Sequence, residues 1–242
     1  MQLSLFGKEN SERHIITISK TDFVDFQRCK YTWYMRKVLH VVIAPTTNMI
    51  KGSDMHSIAK HINSSLRGGK IKNVDDIPEL ISNLNLQDEI KGVENFTRYL
   101  EYRYKNNMPY IPKMVEEKLE YRVNDNYKIH GIPDVVYFDS NTNSWEIIEY
   151  KKSTYKSEED ILLEGMFYGY ILENVSGMKV TKVGFLSFED GYNKSIDYSS
   201  KDIKEKIFDM INCLEKTDLT PSPSEDNCKN CIFKNHCPHS KV

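Results

Sequence analysis

The sequence predicts an α/β fold, a central mixed sheet flanked by helices, on three observations. Segments between residues 115 and 151 carry β-branched and aromatic residues between turn signals. Apolar residues recur at helical spacing on both sides of that window, and a further strand and helix follow it. The resulting order, helices, strands, helix, strand, helix, is that of a layered helix-and-sheet domain. With 242 residues, 39% hydrophobic and 28% charged, the chain has enough apolar material for one large core, so residues 1–242 are read as a single domain.

Ser19 or Thr21 caps a helix reaching Val38, with Phe23, Phe26, Tyr31, Trp33 and Tyr34 on its apolar surface and Cys29 inside it. After a break at Pro45, a second helix over 53–66 carries the stripe Met55, Ile58, Ala59 and Ile62, with His56 off its centre. Residues 75–107 are poor in Gly and Pro and helical in pattern, so residues 67–112 are expected as a helical insertion or lid. Strands over 115–123, 127–138 and 144–151 follow, separated by Asn124-Asp125-Asn126 and by 139–143, and predict a meander. Ser157 followed by Glu158, Glu159 and Asp160 caps a helix to Asn174; a strand spans 180–188 and an amphipathic helix 201–214. Pro221 and Pro223 make residues 220–227 a linker into a cysteine-rich C-terminal segment, 220–242 in all.

Thirty-three basic against 35 acidic residues give a formal charge of −2, which excludes a global basic field and leaves nucleic acid only local patches. Met1–Lys8 lacks the features of a signal peptide and no run approaches membrane-spanning length, so a cytoplasmic protein with no membrane contact is expected. Five cysteines, an odd number, point in a reducing compartment to metal binding rather than a disulfide framework.

Side chains alternate along a strand, so Glu149 and Lys151 project from one face and Tyr150 from the other. Asp134 reaches the same point if its strand pairs with theirs around the 139–143 turn. Two carboxylates so placed suit Mg2+ or Mn2+, and Lys151 would orient or deprotonate an attacking water and offset charge on a scissile phosphate. The bland reading is a solvated Glu149–Lys151 ion pair with Asp134 ending a turn after Pro133, since an isolated E-x-K triplet is common.

At these residues the chain resembles the PD-(D/E)xK nuclease superfamily, and within it the RecB-like branch, including AddB-like helicase-nuclease subunits and the CRISPR-associated exonucleases called Cas four. The resemblance implies a restriction-endonuclease-like core. It also implies a metal-dependent DNA exonuclease or end-processing nuclease, in CRISPR adaptation or recombinational repair, with DNA as substrate and a CRISPR integrase or a helicase as partner. That branch places a glycine four positions before a histidine on an early helix, here Gly52-Ser53-Asp54-Met55-His56, which makes His56 a metal ligand beside Asp134 and Glu149. A glutamine four positions before a tyrosine follows the lysine strand, and here the segment reads Glu164-Gly165-Met166-Phe167-Tyr168. Tyr168 matches, as a residue orienting DNA or Lys151, with core packing as its competing reading. Glu164 departs from the glutamine, and an added carboxylate changes the charge of the site, recruiting a second metal or repelling phosphate. Glu116 or Glu117 corresponds to an upstream acidic residue of the branch.

Cys228-x2-Cys231-x5-Cys237 is a three-thiolate array that requires a fourth ligand. The resembled families close a [4Fe-4S] cluster with a distant N-terminal cysteine, which implies Cys29 and joins the N- and C-terminal regions. Zinc on the same three cysteines with His236 or His239 is the competing assignment and leaves Cys29 inert; Cys213 is read as packing. Arg98, Tyr99, Tyr102, Arg103, Tyr104 and Lys105 interleave cations with aromatics and fit either a single-strand-binding face or an amphipathic helix with inward tyrosines. Lys152 and Lys156 are placed for phosphate. Against the nuclease stand a non-catalytic DNA-end-binding or scaffold subunit that retains the fold, and a zinc-stapled interaction protein with an accidental E-x-K.

Overall fold

The computed structural model describes residues 15–43, 47–82, 89–153, 158–229 and 231–242, with residues 47–53 described in their backbone only. The expected break at Pro45, the cap Ser157 and Lys156 lie outside the described residues. In chain order the first elements are β1 (Ile16–Ser19), α1 (Lys20–Arg28), α2 (Lys30–Lys37), α3 (Thr47–Arg67), a 3-10 turn (Val74–Asp76), α4 (Ile77–Ile81) and α5 (Ile90–Lys105). The strands β2 (Met114–Val115), β3 (Leu119–Arg122), β4 (Tyr127–Gly131), β5 (Val135–Asp139) and β6 (Ser144–Lys151) follow. Last come α6 (Glu158–Ser176), β7 (Val180–Ser187), β8 (Asn193–Asp197), α7 (Ser200–Glu215) and α8 (Glu225–Lys229). The chain divides into two compact units: Met1–Ala44 with Glu120–His130 and Lys201–Val242, and Pro45–Leu119 with Gly131–Ser200.

In the first unit β1 runs parallel to β4, Ile16 opposite Tyr127 and Ser19 opposite His130, in a three-stranded sheet of order β1-β4-β3. Ser19 caps α1 reciprocally: its hydroxyl accepts from the Asp22 amide at 3.1 Å and its own amide donates to Asp22 Oδ2 at 2.9 Å. The single helix expected over 19–38 is instead two. Cys29 is extended, with φ −159° and ψ 115°, and both ends α1 and begins α2. Its carbonyl accepts from the Thr32 hydroxyl at 2.7 Å and the Thr32 amide at 3.0 Å, which starts the second helix afresh. The short helix α8 begins inside the proline-marked linker and runs past its end to Lys229.

In the second unit a mixed sheet has the order β2-β5-β6-β7-β8, with β6 antiparallel to β5 and parallel to β7. The predicted meander is therefore corrected. The strand expected over 127–138 stops at Gly131 and restarts at Val135, and its halves join different sheets. Pro133, between them, has no N–H to donate to a ladder. Helices α3 and α5 cover one face, where Ala59, Ile62, Phe96 and Leu100 meet Val135, Tyr137, Ile148 and Tyr150 in one apolar cluster. The helical stretch expected as an insertion thus supplies core through α5. Helix α6 is apolar nearly all round and covers the other side, with Gly165 close against Val183 of β7. Among the described residues no helix is long and apolar enough to cross a membrane.

Alternation on α5 separates the residues that interleave cations with aromatics. Tyr102 and Tyr104 face solvent, whereas Tyr99 is buried and Arg103 is only 1% exposed. Arg103 donates to Glu146 Oε2 at 2.6 Å, to the Pro109 carbonyl at 2.6 Å and to the Tyr99 hydroxyl at 2.9 Å, and lies 4.0 Å from the Tyr137 ring centroid. The tyrosine reading is divided between the two faces, and Arg103 belongs to the core rather than to a nucleic-acid surface.

Candidate active site and cysteine cavity

The register that pairs Val135 with Ile148 carries Asp134 to the end of β6, beside Glu149. Backbone and side chains interlock there. The Asp134 amide donates to Glu149 Oε1 at 3.1 Å, and the Tyr150 amide donates to Asp134 Oδ2 at 2.7 Å. Since Ile148 and Tyr150 face the α3/α5 cluster, Glu149 and Lys151 face α6, as the strand period requires. Lys151 Nζ lies 3.3 Å from Glu149 Oε2 and 2.7 Å from Glu164 Oε2, so the three residues form one charged knot with Glu149 and Glu164 almost fully buried. His56, on α3, approaches from the other face: Nε2 is 3.0 Å from the Tyr150 carbonyl oxygen and 3.5 Å from Asp134 Oδ2. Asp134, Glu149, Lys151, Glu164 and His56, singled out in sequence, are therefore brought together in one unit.

Burial alone would lower the Lys151 pKa, but the carboxylates of Glu149, Glu164 and Asp134 outweigh it and hold the ammonium above the ordinary lysine range. Lys151 in this arrangement is a cation shared between Glu149 and Glu164. The Tyr168 hydroxyl is pushed up by burial first and by Glu149, Glu164 and Asp134 next, and it hydrogen-bonds the Ile132 backbone. Its ring covers Gly131, where a methyl group would overlap it. Tyr168 thus packs against the chain segment that leads into Asp134, in line with its packing reading. Sequence reasoning missed Gly131; a glycine within a strand pattern is the signal for such a close approach.

Glu116 has a left-handed φ of 48°, its amide donates to the Asp134 carbonyl at 3.1 Å, and its carboxylate pairs with Lys60 at 2.7 Å. Glu117 pairs with Arg67 further along α3. Of the two, Glu116 is the one bonded to the segment that bears Asp134. Lys152 is 3.6 Å from the Glu189 carboxylate.

The donor chemistry of Asp134, Glu149, His56 and the Tyr150 carbonyl fits a hard divalent ion that prefers oxygen ligands. Among the described residues no group of three or more His, Cys, Asp or Glu stands arranged to hold a metal. Glu149 is instead engaged by the Asp134 amide and Lys151.

In the first unit Cys29, Cys228, Cys231 and Cys237 line one cavity, together with Tyr31, Met35 and Phe233. All five cysteines of the chain are free thiols, and Cys213 stands on α7 apart from that lining. The Ser222 amide donates to Cys29 Sγ at 3.3 Å, which the extended backbone at Cys29 allows. Burial raises the Cys231 thiol pKa; a backbone hydrogen bond at Phe233 opposes this, while Asp25, Cys237 and Cys29 add to it. His239 also lines the cavity but meets the Tyr31 ring edge-on at 5.0 Å, and His236 is exposed. Four sulphur donors around one cavity fit a thiolate-bound group in chemistry. The absence of a ready metal-holding group among the described residues applies here too.

Three solved structures illustrate what the chain is similar to. A Eubacterium rectale protein inferred to be an exonuclease is 14% identical, with TM-score 0.48 over 100% of this chain and 96% of its own. SSO0001 is 18% identical, with TM-score 0.46 over 97% and 90%. The alkaline exonuclease LHK-Exo of Laribacter hongkongensis is 9% identical, with TM-score 0.43 over 84% and 88%. Likeness at that level carries no functional argument. A search of curated proteins found no match. The family assignment rests instead on sequence: the family model described as the PD-(D/E)XK nuclease superfamily matches residues 17–238, which draw on both units and include every residue of the charged knot and all four cysteines of the cavity. The chain belongs to the PD-(D/E)XK nuclease superfamily.

Proposed function

We propose that this protein is a divalent-metal-dependent deoxyribonuclease, an exonuclease or DNA-end-processing enzyme, in which residues 17–238 act as one nuclease domain. The observation that carries the reading is the meeting of Asp134, Glu149 and Lys151 at the end of β6, with His56 3.5 Å from Asp134. Asp134, Glu149 and His56 are the residues that would hold Mg2+ or Mn2+. The ion would supply Lewis-acid polarisation of the phosphate and a more acidic bound water. Lys151 offsets charge on the scissile phosphate. Tyr168 fixes the backbone at Ile132, and with it the approach of Asp134. The catalytic reading is favoured over a scaffold because buried Glu149 and Glu164 are costly to retain without a task, and functional sites are where such groups concentrate.

The reading extends to the cysteine cavity. Cys29, Cys228, Cys231 and Cys237 would hold a [4Fe-4S] cluster in a structural role, in a reducing, cytoplasmic setting consistent with five free thiols. Purified anaerobically, the protein should contain iron and labile sulphide, and Cys29→Ser should lose most of both; stoichiometric zinc without iron would overturn the cluster. On DNA, the protein with Mn2+ should degrade linear molecules and leave covalently closed circles intact. Cleavage of closed circles would point to an endonuclease instead.

A further inference from the structure

The segment after the lysine strand carries a carboxylate, Glu164, where an amide would serve as a neutral hydrogen-bond acceptor, and the geometry gives that carboxylate a specific partner. Glu164 is 2% exposed, as deeply buried as Glu149, and its Oε2 is 2.7 Å from Lys151 Nζ, closer than the 3.3 Å that separates Nζ from Glu149 Oε2. Gly165, next in the helix, lets α6 approach β7 and brings Glu164 to this depth. Resting on the metal-binding reading of Asp134 and Glu149, we propose that Glu164 is a positioning residue that competes with Glu149 for the Lys151 ammonium and so leaves Glu149 more available to metal.

Two cations compete for Glu149. An ammonium and a divalent cation are both attracted to the Glu149 carboxylate, and whatever binds Nζ more tightly elsewhere frees Glu149 for metal. Asp134, Glu149 and Glu164 carry three negative charges against one positive charge on Lys151, a net of −2 that one divalent cation balances. With an amide at position 164 the net charge becomes −1, and Lys151 is left with Glu149, 3.3 Å away, as its near carboxylate. Glu164 then acts on metal affinity through Lys151, without being a ligand itself.

A double-mutant cycle on Mn2+ affinity in the full-length protein, read by titration calorimetry without DNA, tests this. Glu164→Gln should raise the Mn2+ dissociation constant by about tenfold in the wild-type background and by less than about twofold in a Lys151→Met background, because the residue it acts through is gone. Equal effects in both backgrounds would overturn the inference, because Glu164 would then act on the metal directly or by bulk charge. If Lys151→Met does not fold, Glu164→Asp decides. It keeps the charge but shortens the reach, so positioning predicts weakened binding and bulk charge predicts wild-type binding. Loss of all Mn2+ binding in Asp134→Ala shows that the site itself holds metal, so failure of the cycle in a protein that passes this control counts against Glu164 alone. A wild type that binds no Mn2+ overturns both.

Discussion

Lys151→Ala is expected to lower phosphodiester hydrolysis by about 10²–10⁴-fold, the range for a positioned acid–base or charge-stabilising group. Three carboxylates raise the lysine's pKa, so the substitution removes a fixed positive charge from the place where phosphate must approach. It also leaves Glu149 and Glu164 buried together without their shared cation. The variant should therefore melt lower than wild type and regain more stability than wild type on adding Mn2+, which thermal unfolding with and without the ion measures. The pH dependence has a defined sign. A lysine whose folded pKa exceeds its unfolded value contributes stability that is complete below the unfolded value, about 10.4, and lost only as pH rises through the folded one. Between about pH 6 and 9 the stability contributed by Lys151 should therefore not change, which thermal unfolding of the metal-free wild type and Lys151→Ala across that range checks.

Arg103→Ala is expected to cost about 3–5 kcal/mol, because removing one partner of a buried ion pair strands the other. Glu146 is 6% exposed and already has one oxygen, Oε1, without a hydrogen-bond partner among the described residues. The arginine also satisfies the Pro109 carbonyl and stacks on Tyr137, so the loss includes packing as well as charge. For a chain of this length the fall in Tm is about 6–20 °C. Replacing both partners, Arg103→Met with Glu146→Met, should recover much of the loss, since an apolar pair leaves no stranded charge. Calorimetry of the single and double variants checks this, and a double variant no more stable than Arg103→Ala would show that the arginine's other contacts dominate.

The second unit was legible because its signals are local and periodic. The alternation at Glu149-Tyr150-Lys151 determines which side chains share a face, and the 139–143 turn determines which strand lies beside them. Glu164 and Tyr168 follow from helical spacing. The split of the 127–138 strand was not legible, although its cause, Gly131 followed by Pro133, is present in the chain. Each residue alone is compatible with an edge strand, and only the position of the Tyr168 ring makes the glycine necessary. Arg103 stays open between a nucleic-acid face and an amphipathic helix for a related reason. A cation among tyrosines at helical spacing looks the same whether its partner is a phosphate or a buried carboxylate 43 positions away. Composition places Cys29 inside a helix because Thr32, whose hydroxyl bonds the Cys29 carbonyl where the two helices meet, is an ordinary helical residue by type. β1, with four residues, is too short to show a period.

If Asp134 and Glu149 hold the metal of a nuclease, removing either the ion or Asp134 should stop release of label from a DNA end. End-labelled linear DNA is incubated with wild type and Asp134→Asn at matched concentration, each with Mn2+ and with a chelator. The account predicts release of labelled product by the wild type with Mn2+ alone, and a rate lower by about 10³-fold or more in Asp134→Asn. Wild-type protein inert on single- and double-stranded DNA with Mn2+, or an Asp134→Asn variant as active as wild type, would contradict it.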